Sequence, residues 1–323
     1  MRKLILLGLR IANRFHRSNI AILKYHSVQD RPESLDDTIS PSTIVPTAAF
    51  RRHMRIVAKA YNPVTMDDIL RCANGEADLP RRPVAVTFDD GYRDNYAIAR
   101  PILNEMGIKA TIYVTAGSAG NVEPPWFCRI RHAVWSTKKE ECLAICESVL
   151  RFRDRNDRVD SVRLVSQRCA RLVGEELEQE VRRIEDLLEV SPCVPEERLM
   201  MNWDEIREMS REGHLIGSHT ISHPNVSYLE TDKLQWELTE SRRIIEKNIG
   251  QPVEHFSYPN PALSPHMNAA TTVAVRNAGY KTAVVSTCGK MNLSCDVYSM
   301  KRTWSPADED QFVWNIEKAL SVG

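Results

Sequence analysis

A parallel α/β barrel of about seven strands is the fold this sequence predicts. Two observations carry that expectation. Short apolar runs recur along the chain with amphipathic helical stretches between them, and there are about seven such units. Strands that alternate with helices pair in parallel. In a parallel barrel every strand then ends at one common mouth.

The strands expected in chain order are Ile20–Tyr25, Val84–Phe88, Ala110–Thr115, His214–Ser218, His255–Tyr258 and Lys281–Val285, with a further one near Val297–Arg302. Helices are expected between them. Phe50, Met54 and Val57 share a face behind a Thr47 cap, and Leu234, Leu238 and Ile245 share one behind Thr231. That second helix ends at Gly250 with Pro252 beyond. Thr65 and Asp68 have capping-box spacing. Asn268–Ala278 is a further helix, stopped by Gly279.

Residues from Trp126 to about Met200 break the rhythm. They are rich in Arg and Glu, show no clear strand, and carry Leu177, Val181, Ile184 and Leu188 at helical spacing. They are read as a helical insertion over about 126–200, its charges forming a solvated face. The chain before the first strand, 1–19, reads as a basic amphipathic helix with Leu4, Leu7 and Ile11 on one side. Its apolar run is short and Arg10 interrupts it, unlike a signal peptide. It is suited to touching a membrane surface or to packing on the domain. The expected organisation is this helix followed by one barrel over 20–323.

Lys plus Arg number 43 and Asp plus Glu number 43, so nothing in the charge balance calls for nucleic acid. The eight cysteines are scattered without a CxxC pair, as expected of reduced thiols in a cytoplasmic protein. No stretch reaches the ~20 apolar residues of a spanning helix. Localisation is expected to be cytoplasmic, with peripheral contact at the inner face of a membrane if the first helix binds there.

Two clusters point to chemistry. Thr87-Phe88-Asp89-Asp90-Gly91-Tyr92 follows the run Val84–Val86. Paired carboxylates at a strand end are costly unless something uses the charge; a metal can take one and leave the other as a base. An Asp-Gly turn explains Asp90-Gly91 but not the pair. His219-Thr220-Ile221-Ser222-His223 follows the run ending at Ser218. Imidazoles four apart converge on one cation if the turn is helical. Alone, such a pair is as readily two structural histidines. His26 follows a third strand and Tyr258 closes a fourth, so four polar clusters share one barrel mouth, which packing alone explains poorly.

These motifs resemble the NodB-type polysaccharide deacetylases, carbohydrate esterase family 4, over about residues 20–305, with the insertion outside the resemblance. Thr87–Tyr92 matches the family's first motif and Ser218–His223 its second. The resemblance implies a deformed (β/α) barrel, the NodB homology domain, with Asp90, His219 and His223 as metal ligands and Asp89 as general base. It also implies hydrolysis of N-acetyl groups on an amino-sugar polymer or oligomer. Imidazole and carboxylate suit zinc, with cobalt or nickel as substitutes. Phe256-Ser257-Tyr258-Pro259 resembles the subgroup tied to bacterial exopolysaccharide synthesis. It lacks the Arg usual in the third motif, and Ser286–Trp304 lacks the fifth motif's His.

A histidine remains the natural donor to the leaving amine, and His26 alone among the unassigned histidines directly follows a barrel strand. It is therefore expected to be the general acid; the bland alternative is a strand-end imidazole bonded to a backbone carbonyl. Tyr92, Tyr258 and Pro259 are expected to line the substrate pocket, with Tyr258 alternatively an aromatic packed under a loop. Deacetylation or deformylation of a lipid-linked sugar, and a catalytically inactive sugar-binding relative, are the other readings.

Overall fold

The structure, a computed structural model, describes residues 19–30, 38–142, 149–195, 198–260, 262–289, 291–292 and 295–321. The expected N-terminal helix lies outside the described residues, apart from Asn19, which is the first residue of a strand.

The barrel strands are β1 (Asn19–Tyr25), β2 (Pro83–Phe88), β3 (Ala110–Val114), β4 (Leu215–Ser218), β5 (His255–Ser257), β6 (Thr282–Cys288) and β7 (Met300–Trp304). Each pairs in parallel with the next, and β1 closes the ring by pairing with both β2 and β7. The seven-stranded closed parallel barrel expected from the sequence is the observed fold. Among the described residues, two short strands join the barrel sheet outside the ring: Asn62–Val64 extends the edge beside the start of β2, and Met291–Asn292 runs antiparallel to the start of β1.

Alternation along the strands sorts the core into two layers. Ile20 and Ile22 meet Ala85, Tyr113, Val284 and Met300 inside the barrel. Ala21, Leu23, Tyr25, Val86, Phe88 and Ile112 face outward beneath the helices. Tyr25 stacks on Phe88 with ring centroids 5.4 Å apart and meets Phe50 edge-on at 5.1 Å. Phe50 belongs to helix α1 (Thr47–Ala60), whose buried Phe50, Met54 and Val57 form the stripe expected.

Helix α2 (Met66–Ala73) carries the predicted Thr65–Asp68 capping box. The expected Thr47 and Thr231 caps are not formed. Pro46 and Glu230 hold those positions without a side-chain cap bond, and each threonine is the first helical residue. Helix α3 (Arg100–Glu105) returns the chain from β2 to β3.

Helices α4 (Trp126–Ser136), α5 (Arg155–Cys169) and α6 (Gly174–Leu187) follow β3 and pack around Trp126, Ile130, Val134, Val165, Val181 and Ile184. Arg129, 4 % exposed, is paid for by a two-point pair with Glu185 at 2.9 and 2.7 Å. The expectation of no strand here needs correction: Glu141–Cys142 pairs antiparallel with Leu150–Arg151. Helices α7 (Trp203–Arg211), α8 (Thr231–Ile249), α9 (Ala269–Asn277) and α10 (Glu309–Leu320) complete the outer layer. Among the described residues no helix is long and apolar enough to cross a membrane.

Candidate active site

At the end of β2 the backbone separates two neighbouring acids. Asp90 takes φ 71° and Gly91 φ 84°, a left-handed turn that Asp and Gly tolerate better than most residues. The Asp89 amide still extends the β1 ladder, donating to Tyr25 O at 3.0 Å. Asp89 is thereby held toward Arg302 of β7, while Asp90 faces the imidazoles beyond β4.

The loop after β4 brings the two imidazoles together without a helical turn. His219 extends the ladder by donating its amide to Val114 O at 2.9 Å. Thr220 and His223 then take φ 68° and 59°, and this left-handed backbone aims both rings at one point. The shape is held from several sides. Thr220 Oγ1 accepts the His223 amide at 3.0 Å, and Trp126 of the insertion donates its indole N–H to Ser222 O at 2.9 Å. Glu237 of α8, fully buried, accepts the Ile221 and Ser222 amides at 2.7 and 3.1 Å and the Ser222 hydroxyl. Burial pushes the Glu237 carboxyl above its ordinary pKa, against the pull of these donors. Gly117 lies so close that a Cβ there would sit 2.7 Å from Ile221 O.

His219 donates from Nδ1 to Ser257 O at 2.7 Å, because a carbonyl only accepts. Its Nε2 lone pair is left facing Asp90 Oδ1 at 3.5 Å, and His223 Nε2 lies 3.4 Å from the same oxygen. Two acceptors so placed call for a cation between them. Tetrahedral bonds of about 2.0–2.1 Å set ligand atoms about 3.3–3.4 Å apart, so the spacing fits a metal ion. Asp90, His219 and His223 each offer one donor atom, all within 4.8 Å of one another. Burial lowers the His219 pKa to about 4, which keeps it in the neutral form a metal requires. Phe127 packs on the His223 ring with centroids 4.8 Å apart.

Beside this cluster, Arg302 grips Asp89 from β7. Nη1 meets Oδ1 at 2.7 Å and Nη2 meets Oδ2 at 2.6 Å, with both residues buried. Ser257 donates its hydroxyl to Asp89 Oδ1 at 3.0 Å, so one residue steadies both Asp89 and His219. Burial alone would raise the Asp89 pKa; the Arg302 charge and hydrogen bonds reverse this and hold it far below the carboxylate range. Arg302 was not singled out from the sequence. It shares the inward face of β7 with Met300, and an Arg on a face that otherwise fills a lumen is the signal that could have found it.

His26 Nε2 stands 3.8 Å from Asp89 Oδ2. Burial lowers its pKa, against the pull of Asp90 and Asp89. Its backbone is anchored by Asn95, which donates to His26 O at 2.7 Å. Asp94 accepts the Ser27 hydroxyl at 2.6 Å and the Val28 amide at 3.1 Å, and burial lifts its pKa to about 7.

These groups open on a cavity of about 470 Å³. Tyr92 lines it, together with Trp126 and Phe127 of α4. Tyr258 and Pro259 do not. Both are buried, and the Tyr258 ring meets Phe256 edge-on at 5.1 Å in the outer core. Ser257 faces the mouth and bonds Asp89, so alternation turns Tyr258 away from it with Phe256, and the packing alternative applies.

Comparison with known proteins agrees with this geometry. The polysaccharide deacetylase family model matches residues 76–145 and 168–283. A Bacillus subtilis (strain 168) protein, YxkH, named as a polysaccharide deacetylase, is 22% identical over 286 residues, covering 88% of this chain and 71% of its own. The Streptococcus pyogenes deacetylase PplD, solved with acetate, shares the fold at a TM-score of 0.62 and 17% identity, covering 94% of this chain and 99% of its own. A de-N-acetylase from Aggregatibacter actinomycetemcomitans shares it at 0.53 and 16%, covering 88% and 94%. The chain belongs to the polysaccharide deacetylase family of enzymes.

Proposed function

We propose that this enzyme removes N-acetyl groups from an amino-sugar polymer or oligomer of bacterial exopolysaccharide or cell-envelope metabolism, using one divalent metal ion held by Asp90, His219 and His223. The observation that carries the reading is the convergence of one carboxylate and two imidazoles at metal-ligand spacing, next to a separate ionised carboxylate. Nitrogen and oxygen donors suit zinc, with cobalt or nickel as substitutes. One relative sharing the fold is a de-N-acetylase and another was solved with acetate, which supports an amide carrying an acetyl group.

The ion, when bound, would acidify water and polarise the amide carbonyl. The chain supplies proton handling. Asp89 stays ionised through its pair with Arg302 and accepts the water proton as general base. His26, whose pKa burial lowers, stands beside Asp89; it takes over the proton that Asp89 has accepted and, as imidazolium, returns it to the leaving amine as general acid. Ser257 keeps Asp89 and His219 in fixed relation. Tyr92 and the Trp126–Phe127 wall enclose the substrate.

The test is acetate release from a panel of N-acetylglucosamine oligomers and lipid-linked acetylated sugars, with and without a chelator. Chelator-sensitive release from at least one substrate is expected. No release from any substrate by metal-loaded protein would overturn the reading. A His26→Ala enzyme should keep its metal and fold while kcat falls sharply; near-unchanged kcat would remove His26 from the mechanism.

A further inference from the structure

The cavity holds a cation used by neither the metal-ligand cluster nor the Asp89–Arg302 pair. Ile20 and Ile22 of β1 face the barrel lumen. Alternation puts Lys24 on the same face one step nearer the mouth, where it lines the cavity. Its Nζ donates to Ser286 O at 3.3 Å. Among the described residues that carbonyl is its only hydrogen-bond partner, and no carboxylate pairs with it. An ammonium carries three N–H donors, so the group has capacity to spare.

The surrounding charges do not supply what Lys24 lacks. Asp89 is neutralised by Arg302 at two points, and Asp90 faces the two imidazoles. With a divalent ion in that cluster, two carboxylates stand against Lys24, Arg302 and the ion, leaving the mouth positive. Burial, then the Arg302 charge, lowers the Lys24 pKa, against the pull of Asp89, Cys288 and Asp90. Trp304 is the register partner of Lys24 across β1 and β7. It is 52 % exposed and lines the same cavity, offering an indole face for a sugar ring.

We propose that Lys24 and Trp304 form a subsite beside the reacting amide, and that it receives an anionic substituent, phosphate or carboxylate, on the substrate sugar. This rests on the deacetylase reading, which places the amide at the metal-ligand cluster. A neutral sugar would leave the half-buried ammonium with no anion bonded to it. An anion gives it charge-assisted hydrogen bonds while the indole covers the ring.

The experiment titrates metal-loaded protein by calorimetry with three probes: N-acetylglucosamine, the same sugar with an anomeric phosphate, and N-acetylmuramic acid. Wild type, Lys24→Arg, Lys24→Met and Trp304→Ala are compared at low salt, and turnover on each probe is followed in parallel. Wild type is expected to bind an anionic probe about tenfold or more tightly than the neutral one, the scale of a hydrogen bond to a charged group. Lys24→Arg should keep that preference, Lys24→Met should collapse it, and Trp304→Ala should weaken all three probes. The anionic arm with the larger Lys24-dependent preference identifies the substituent. Equal affinities in wild type overturn the proposal, as does a preference that survives Lys24→Met, since the anion would then be sitting on the metal. A Lys24-dependent preference without turnover on these probes leaves the subsite standing, and if the oligomer and lipid-linked panel also releases no acetate the deacetylase reading is removed. Turnover without such a preference does the reverse.

Discussion

Arg302 and Asp89 form a closed, buried, two-point pair: both carboxylate oxygens are engaged, at 2.7 and 2.6 Å, by the guanidinium of the last barrel strand. The segment around β5 lacks the Arg usual in the family's third motif, and the arginine that grips Asp89 stands on β7. Because β7 closes the ring against β1, the pair ties the closure of the barrel to the acid nearest His26.

Breaking that pair should cost both stability and rate. Arg302→Met leaves Asp89 buried and unpaired, a loss of about 3–5 kcal/mol. Arg302→Lys keeps the charge but not the fork, and kcat should fall with metal retained. The double variant Arg302→Met/Asp89→Leu should recover most of the stability while remaining inactive, which urea unfolding and acetate release would show together. Equal instability of the single and double variants would mean that the pair is not what holds this part of the barrel.

Asp89 itself should be separable from the metal. Asp89→Asn is expected to keep a full equivalent of bound ion while turnover drops by about 10²–10⁴-fold, the range of positioned general-base catalysis. Metal analysis and steady-state kinetics on one preparation decide it. Loss of the ion along with activity would make Asp89 a ligand.

Glu237 should act on the metal without touching it. It fastens the Ile221 and Ser222 amides between the two imidazoles, in a loop whose Thr220 and His223 are left-handed. In Glu237→Gln an amide N–H₂ replaces one acceptor oxygen facing those donors. Metal affinity should weaken by about 10–100-fold, as is usual when groups supporting metal ligands are changed. Competition with a chromogenic chelator measures this, and an unchanged affinity would show that the loop keeps its shape without the carboxylate.

Acid should destabilise the fold through two buried histidines outside the site. Burial, then the Arg52 charge, lowers His53 to about 4, and burial, then Lys109, lowers His214 to about 4. His53 stacks on Phe312 at 3.8 Å and accepts or donates at Nδ1 with Tyr25 Oη, 3.1 Å away. His214 accepts the Ala110 amide at 3.1 Å. Both are neutral in the fold, and the unfolded chain binds more protons below its ordinary value of 6.5. Stability is therefore full above that pH and lost as pH falls toward 4, by on the order of 3 kcal/mol for each histidine. Unfolding free energy measured across that window should decline, and less steeply in His214→Gln. A flat profile would show that neither imidazole is held neutral.

Much of this was legible in the sequence. Apolar runs ending in Asp-Asp, His or HxxxH marked both the strands and the mouth, because a parallel barrel collects its strand ends. What escaped depended on three-dimensional register. Arg302 reads as one charge beside Lys301 until the inward face of β7 is known. Tyr258 read as a strand end, but the strand stops at Ser257 and its ring joins the outer core. The HxxxH spacing suggested a helical turn, whereas left-handed φ at Thr220 and His223 brings the rings together, and local spacing does not report that. Glu237 lies on a helix with an ordinary amphipathic pattern, and only packing against the loop reveals its three donors.

The central claim is that Asp90, His219 and His223 bind one divalent ion on which deacetylation depends. The most direct measurement is metal content and acetate release on the same samples of wild type and of His219→Ala/His223→Ala. Wild type should hold one equivalent, lose activity to a chelator and regain it on metal addition, while the double variant holds none and is inactive. A full equivalent in the double variant, or acetate release indifferent to chelation, would contradict the account.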